Sequence, residues 1–295
     1  MNKYIEAIEK IKNKSEDIKE LYNIFISFGD PIIIPLILPT DLAVLRGRIN
    51  ENGQVFFKKS DLGTVPAVNC KKYQRANVPY SPMFYACSFP INDKRLPPRG
   101  TVLFENSKFS RIRNLSGYLF ITYSRWEIKK NLKLLCIPIN KEYANPGEEV
   151  DEISKIWNKY KVGISKEKID FIEYMSKLLA TEAKFDNDYY IIANYIHYLL
   201  YVNEKTKEFD GIAYPSVYMK GESFNIALKP TSVEDKLILH GGGINIDIKK
   251  ESNNKIISIY TFVANEDGTL TYKFAPQIDP IYILNELKNI TLFNR

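Results

Sequence analysis

The chain has 295 residues, 45% hydrophobic and 26% charged, with 41 Lys and Arg against 35 Asp and Glu for a formal charge of +6. That balance supplies a sizeable core and excludes a disordered or low-complexity chain. Cys70, Cys87 and Cys136 are scattered without a C-x-x-C pair, which excludes a disulfide framework and points to the cytoplasm.

Residues 3 to 27 place Ile5, Ile8, Ile11, Ile18, Leu21, Tyr22 and Phe25 at helical spacings among charges. They predict an amphipathic helix or helix pair over 1–30, packing on the body of the same chain. The lysine- and glutamate-rich start lacks the basic stub and apolar core of a signal peptide. Pro31-Ile-Ile-Ile-Pro-Leu-Ile-Leu-Pro39 has nine residues and three prolines. A bilayer needs about 20 apolar residues, so this run is expected as a buried or edge strand, with no membrane partner.

From 31 to 138 short β-like runs alternate with turn signals such as Asn52-Gly53 and Leu96-Pro-Pro-Arg-Gly100. A helical block follows over 147–204, beginning near Pro146-Gly147 and including the aromatic run Asp188 to Tyr201. Ser165 is a candidate N-cap within it, although Lys168 stands where a capping box places glutamate or glutamine. After 210 strands return, with good alternation in Ile244 to Ile248 and Ile256 to Phe262. Strands, then helices, then strands predict an α+β fold with mixed sheets, 31–295 forming one domain around the helical block.

His240-Gly-Gly-Gly243 reads as a glycine-rich hairpin turn, since no G-x-S-x-G elbow accompanies it. His197 lies among Tyr195, Tyr198 and Leu199 and is expected in a core or interface. Two histidines and dispersed cysteines argue against zinc, and no metal is expected. Lys108 to Arg113, with Arg125 and Trp126, mixes basic and aromatic side chains. Such a run is more often a solvated loop, but it is also a candidate dock for a macromolecular acceptor.

The densest polar signal is Gly211-Ile-Ala-Tyr-Pro-Ser-Val217 followed by Asn225-Ile-Ala-Leu228. An apolar run ending at Tyr214-Pro215 presents Ser216 at a strand end. Upstream stand Leu45-Arg-Gly-Arg48, Tyr73-Gln-Arg-Ala-Asn77 with Met83-Phe-Tyr-Ala-Cys87, and Thr101-Val-Leu-Phe-Glu-Asn106. This order, over residues 42 to 230, resembles the RES domain family, named for a dispersed arginine, glutamate and serine. The resemblance implies an NAD-degrading toxin, neutralised by an antitoxin protein, with a fold similar to the diphtheria-toxin-type ADP-ribosyltransferases. It implies Arg46 as the arginine, with Arg48 as a rival, Tyr85 as an active-site tyrosine, Glu105 as the glutamate and Ser216 as the serine. The chain departs from compact members by its extra helical start and by an insertion-like stretch after Glu105.

Cleavage of the nicotinamide–ribose bond passes through an oxocarbenium-like state from which the cationic pyridinium departs without a general acid. One carboxylate, Glu105, suffices to stabilise the developing charge. Arg46, with Arg48 or Arg75 as a second clamp, offers planar donors to the pyrophosphate. Arg46 and Arg48, two apart on a strand, share a face. Tyr85 is the candidate for stacking and Ser216 for orienting the ligand, with Asn77 and Asn225 as further polar contacts. NAD is then the substrate and no other cofactor is expected.

Read singly, Ser216 is a turn serine, Glu105 a surface or helix-start carboxylate, Arg46 an exposed strand residue and Tyr85 a core ring. Two alternatives stay open. One is an ADP-ribosyltransferase acting on a protein or nucleic acid; the other is a non-catalytic NAD-binding or interaction module.

Overall fold

The computed structural model describes the chain except residues 1, 15–17, 33, 91–97, 113–114, 138–145, 183–185, 251–252, 277–278, 289–291 and 293–295. It is an α+β fold with a helical block between strand-rich halves. The first part carries α1 (Lys3–Lys14), α2 (Ile18–Phe28), β1 (Ile34–Leu38), β2 (Leu42–Ile49), α3 (Lys59–Leu62), β3 (Phe84–Pro90), α4 (Pro98–Asn106) and α5 (Lys108–Arg111). Then come β4 (Gly117–Ile128), β5 (Leu132–Cys136), α6 (Glu148–Tyr160), α7 (Lys166–Leu179) and α8 (Tyr190–His197). The last part holds β6 (Gly211–Pro215), β7 (Phe224–Leu228), α9 (Pro230–Lys236), β8 (Leu237–Lys250), β9 (Asn253–Ala264), β10 (Leu270–Phe274) and α10 (Pro280–Leu287). The chain divides into two compact units: Met1–Leu38, Val65–Tyr85 and Asn131–Val233 form the first, and Pro39–Thr64, Ala86–Lys130 and Glu234–Arg295 the second.

In the first unit β1 pairs antiparallel with β5, β5 parallel with β6, and β6 antiparallel with β7. Proline at position 35 is tolerated because β1 ends the strand order. The predicted helical pair packs on the helical block, as its apolar stripe requires. Phe28 stacks on Phe171 at 4.2 Å between ring centres, Tyr4 meets both rings edge-on, and Phe25 meets Tyr195 at 5.1 Å. Each such pair adds about 0.5–1.5 kcal/mol beyond its buried area. Tyr174 Oη donates to Glu9, and Asn2 Nδ2 donates to the Glu167 carbonyl, so α1 is also tied to α7 by polar contacts. Ser165 does stand at the N-cap of α7, without a side-chain capping bond. A π-helical turn, Tyr198–Val202, continues α8 and brings Tyr201 over His197, whose Nδ1 lies 2.8 Å from the Tyr22 hydroxyl. Burial pushes the His197 pKa down, in keeping with its expected packing role.

In the second unit β3 pairs with β2, β2 with β4, β4 with β8, β8 with β9 and β9 with β10, all antiparallel. Leu45, Cys87, Leu119, Ile121 and Tyr123 pack against Val102 and Leu103 of α4 and Phe109 of α5. Gly47 lets α4 approach: a Cβ there would lie 2.3 Å from Val102 Cγ1. Short helices over 98–111 replace part of the strand-and-loop pattern expected between 31 and 138.

Gly241 to Gly243 lie inside β8 and are not a hairpin turn. A Cβ at 241, 242 or 243 would approach a neighbouring strand's carbonyl oxygen to 2.6, 2.0 or 2.4 Å, so the glycines answer close backbone approach.

Asp247 is buried in this unit, accepting from Ser110 Oγ at 2.7 Å, while Lys249 Nζ donates to the carbonyls of Phe109 and Ile112. Burial raises the Asp247 pKa against the opposing effects of Ser110 and Lys249. The resulting penalty on the folded state is absent when the carboxyl is protonated both folded and unfolded, below about pH 4, and is full above the raised folded pKa. Asp247→Asn keeps an acceptor for Ser110. Its melting temperature relative to the wild type is expected to increase as pH rises above about 4; a pH-independent difference contradicts burial as the cause.

Candidate functional site

Five of the sequence-derived residues, Arg75, Asn77, Tyr85, Ser216 and Asn225, belong to the first unit. A loop pinned by a bridge between Gln74 and Asn77 carries the first two. Tyr85, second in β3, reaches back to this loop: its hydroxyl accepts from the Ala76 N–H at 3.0 Å and donates to Asn77 Oδ1 at 2.7 Å. Asn77 Nδ2 in turn donates to Cys70 Sγ at 3.1 Å. Burial drives the Tyr85 pKa up, with the Ala76 N–H and the Arg75 charge opposing it. The phenol is therefore a neutral fixture of the loop at physiological pH. Removing the hydroxyl with Tyr85→Phe leaves a buried donor and acceptor unmet, with an expected loss of about 1–3 kcal/mol. A chemical denaturation midpoint equal to the wild type would contradict that role.

Arg75 lies on the same loop, 6% exposed. Its Nη1 donates to the Leu179 carbonyl and, at 3.1 Å, to that of Thr181; its Nη2 donates to Tyr189 Oη at 3.2 Å. The guanidinium carbon stands 5.2 Å from the Tyr189 ring centre and 6.0 Å from that of Tyr214. Tyr214 on β6 faces Asn225 on β7 in register, and both are buried. The first unit thus gathers Arg75, Asn77 and Tyr85 with two aromatics to which the sequence reading gave no role, Tyr189 and Tyr214. Ser216 follows β6, fully buried, its Oγ accepting from the Met219 N–H at 3.2 Å in the turn that leads to β7. That contact is the turn-capping bond expected of a serine read singly.

Arg46, Arg48 and Glu105 belong to the second unit. In the β2–β4 register Arg46 faces Ser124 and Arg48 faces Thr122. The two arginines share a face, as their spacing predicts. Leu45 and Gly47 turn the other way, onto α4. Glu105, in the last turn of α4, is half-buried on that opposite side, near enough to Cys87 that its charge adds to burial in raising the thiol pKa. The second unit therefore sets Arg46 and Glu105 on opposite sides of β2. Arg48 is engaged by the 56–61 segment: its guanidinium lies 4.6 Å from the Phe56 ring centre and Nη1 donates to the Asp61 carbonyl. Burial lowers its pKa, with Asp61 and Glu51 opposing.

The basic and aromatic run around Lys108 does not form an exposed stacking surface. Phe109 is buried in the α4–β4 core, and Trp126, 1% exposed, lies under Lys59 and donates from Nε1 to Ser124 Oγ at 3.0 Å. Arg113 lies outside the described residues. His240 is exposed, with Nδ1 3.1 Å from Glu127 Oε1. Among the described residues no three His, Cys, Asp or Glu side chains form a metal-holding group, and no helix is long and apolar enough to cross a membrane. No protein-family model matches the chain, and none of the curated proteins matches it.

Proposed function

We propose that the chain is an NAD-consuming enzyme of the RES kind that cleaves the nicotinamide–ribose bond by hydrolysis or phosphorolysis, as a toxin or defence effector. The observation that carries this reading is the ordered set of segments around Arg46, Arg75-Ala-Asn77, Tyr85, Glu105 and Ser216. The clustering of Arg75, Asn77 and Tyr85 in one unit supports it. In the proposed reaction the bond from ribose C1′ to the pyridinium nitrogen breaks, and its electron pair leaves with neutral nicotinamide. An oxygen of water or phosphate then bonds to C1′, and water gives up its proton. The resemblance assigns the cationic ribose to Glu105 and the pyrophosphate to Arg46; because the second unit sets these two on opposite sides of β2, Glu105 is the one of the pair retained here, for the ribose. In the first unit the resemblance assigns the pyrophosphate to Arg75 as second clamp, the nicotinamide end to Tyr85 and the ligand's polar groups to Ser216 and Asn225. Free thiols at the half-buried Cys70 and the buried Cys87 and Cys136 accord with a cytoplasmic setting, where an antitoxin protein would be the expected partner.

One observation favours a second reading, a non-catalytic NAD-binding module: Arg48 and Arg75, the two supporting clamps, both donate to backbone carbonyls of the chain itself. Incubation with NAD labelled in its ADP-ribose part separates the cases. Free ADP-ribose identifies water as acceptor, ADP-ribose phosphate identifies phosphate, and label on a macromolecule identifies a transferase. Bound, intact NAD identifies the module and overturns the enzymatic reading.

A further inference from the structure

Arg75 is a buried cation whose partners come from the helical block. Leu179 and Thr181 contribute carbonyls at the C-terminal end of α7, and Tyr189 contributes both its hydroxyl and its ring face. Each contact suits a guanidinium. The carbonyls at a helix C-terminus carry the negative end of its dipole, and an aromatic face attracts a cation. Arg75 also lies 6.0 Å from the ring centre of Tyr214, whose strand leads to Ser216, and its charge is felt at Tyr85. A free arginine side chain samples many rotamers, whereas here its fork donates to two carbonyls and a phenol hydroxyl and lies near two rings.

From this geometry we infer that Tyr189 is a positioning residue for Arg75, and that Leu179, Thr181 and Tyr189 orient the guanidinium to meet the anionic pyrophosphate of a dinucleotide. The inference rests on the NAD reading for its ligand, and on the Arg75 contacts for its geometry. Nothing in the local pattern around Tyr189 marks it. Its role follows only from a contact spanning 114 residues.

The variant Tyr189→Phe in the full chain removes the hydroxyl and keeps the ring. Tyr189 is half-buried, so the change opens no core cavity. The expected result is a KM for NAD raised about 5- to 10-fold with kcat within about two-fold, accompanied by a small fall in melting temperature as the buried Arg75 Nη2 loses its acceptor. A second readout needs no turnover: the ¹⁵N signals of the Arg75 guanidinium, assigned with Arg75→Lys, report rotation about the Nε–Cζ bond. Slow rotation in the wild type and faster rotation in Tyr189→Phe are expected. A lowered melting temperature with KM unchanged would make Tyr189 merely structural, and guanidinium signals identical in the two proteins would overturn the inference. If the wild type releases no nicotinamide, the NAD reading fails and the guanidinium signals alone decide whether Tyr189 positions Arg75.

Discussion

Replacing Glu105 by glutamine is expected to abolish NAD cleavage while leaving NAD binding and the fold intact. Glutamine matches the shape of glutamate and keeps hydrogen-bonding atoms, so α4 retains Val102 and Leu103 against β2 and β4. What it lacks is the negative charge on which a cationic ribose depends. Because the pyridinium departs as neutral nicotinamide, that charge acts mainly on the transition state, so its loss falls on kcat rather than on KM. The expected fall is about 100-fold or more, equivalent to about 2.7 kcal/mol or more of transition-state stabilisation. Turnover near the wild-type rate would remove Glu105 from the chemistry. A parallel collapse of the melting temperature would assign it to the packing of α4.

The largest effect on stability is expected at Gly242. An added Cβ would lie 2.0 Å from the Tyr123 carbonyl oxygen and 2.6 Å from Cζ of the Phe262 ring. The first obstacle is backbone of the adjacent β4 and cannot rotate away. Gly242→Ala must therefore separate β8 from β4 or displace Phe262, with an expected loss of about 3 kcal/mol or more. Gly100 in α4 is the control: a Cβ there meets nothing within 4 Å, and the helix gains by about 0.5–1 kcal/mol from alanine. Circular dichroism melts of the two variants, measured together, separate close strand approach from a general intolerance of side chains at glycine positions. Equal melting temperatures would contradict the close approach.

The glycine run shows why sequence reading succeeds in some places and fails in others. Ile244 to Ile248 and Ile256 to Phe262 are legible as strands because alternation is a local signal, although it misstates their burial: all five positions of the first are buried, Asn245 and Asp247 included, and in the second only Phe262 is. The helical pair before residue 28 and the block over 147–204 likewise announce themselves by periodicity. Gly241 to Gly243 look locally like a turn. Their cause is the carbonyls of β4 and β9, which no short window contains. The helix α4 was obscured because Thr101 to Asn106 is a short apolar stretch with a proline-rich approach.

The candidate site divides along the same line. The shared face of Arg46 and Arg48 was legible from their spacing of two. So was the turn chemistry of Ser216, because a serine after Tyr-Pro has an obvious local use. The enclosure of Arg75 by Leu179, Thr181, Tyr189 and Tyr214 was not, since its partners come from other parts of the chain. Nor was the placement of Glu105 on the side of β2 opposite Arg46, which depends on the helix that α4 forms and on Gly47 admitting it.

The most direct test of the account is nicotinamide release from NAD by the purified wild-type chain, followed with and without phosphate. Steady release that Glu105→Gln reduces about 100-fold or more is the predicted result. Absence of release from a folded protein that binds NAD would contradict the enzymatic claim.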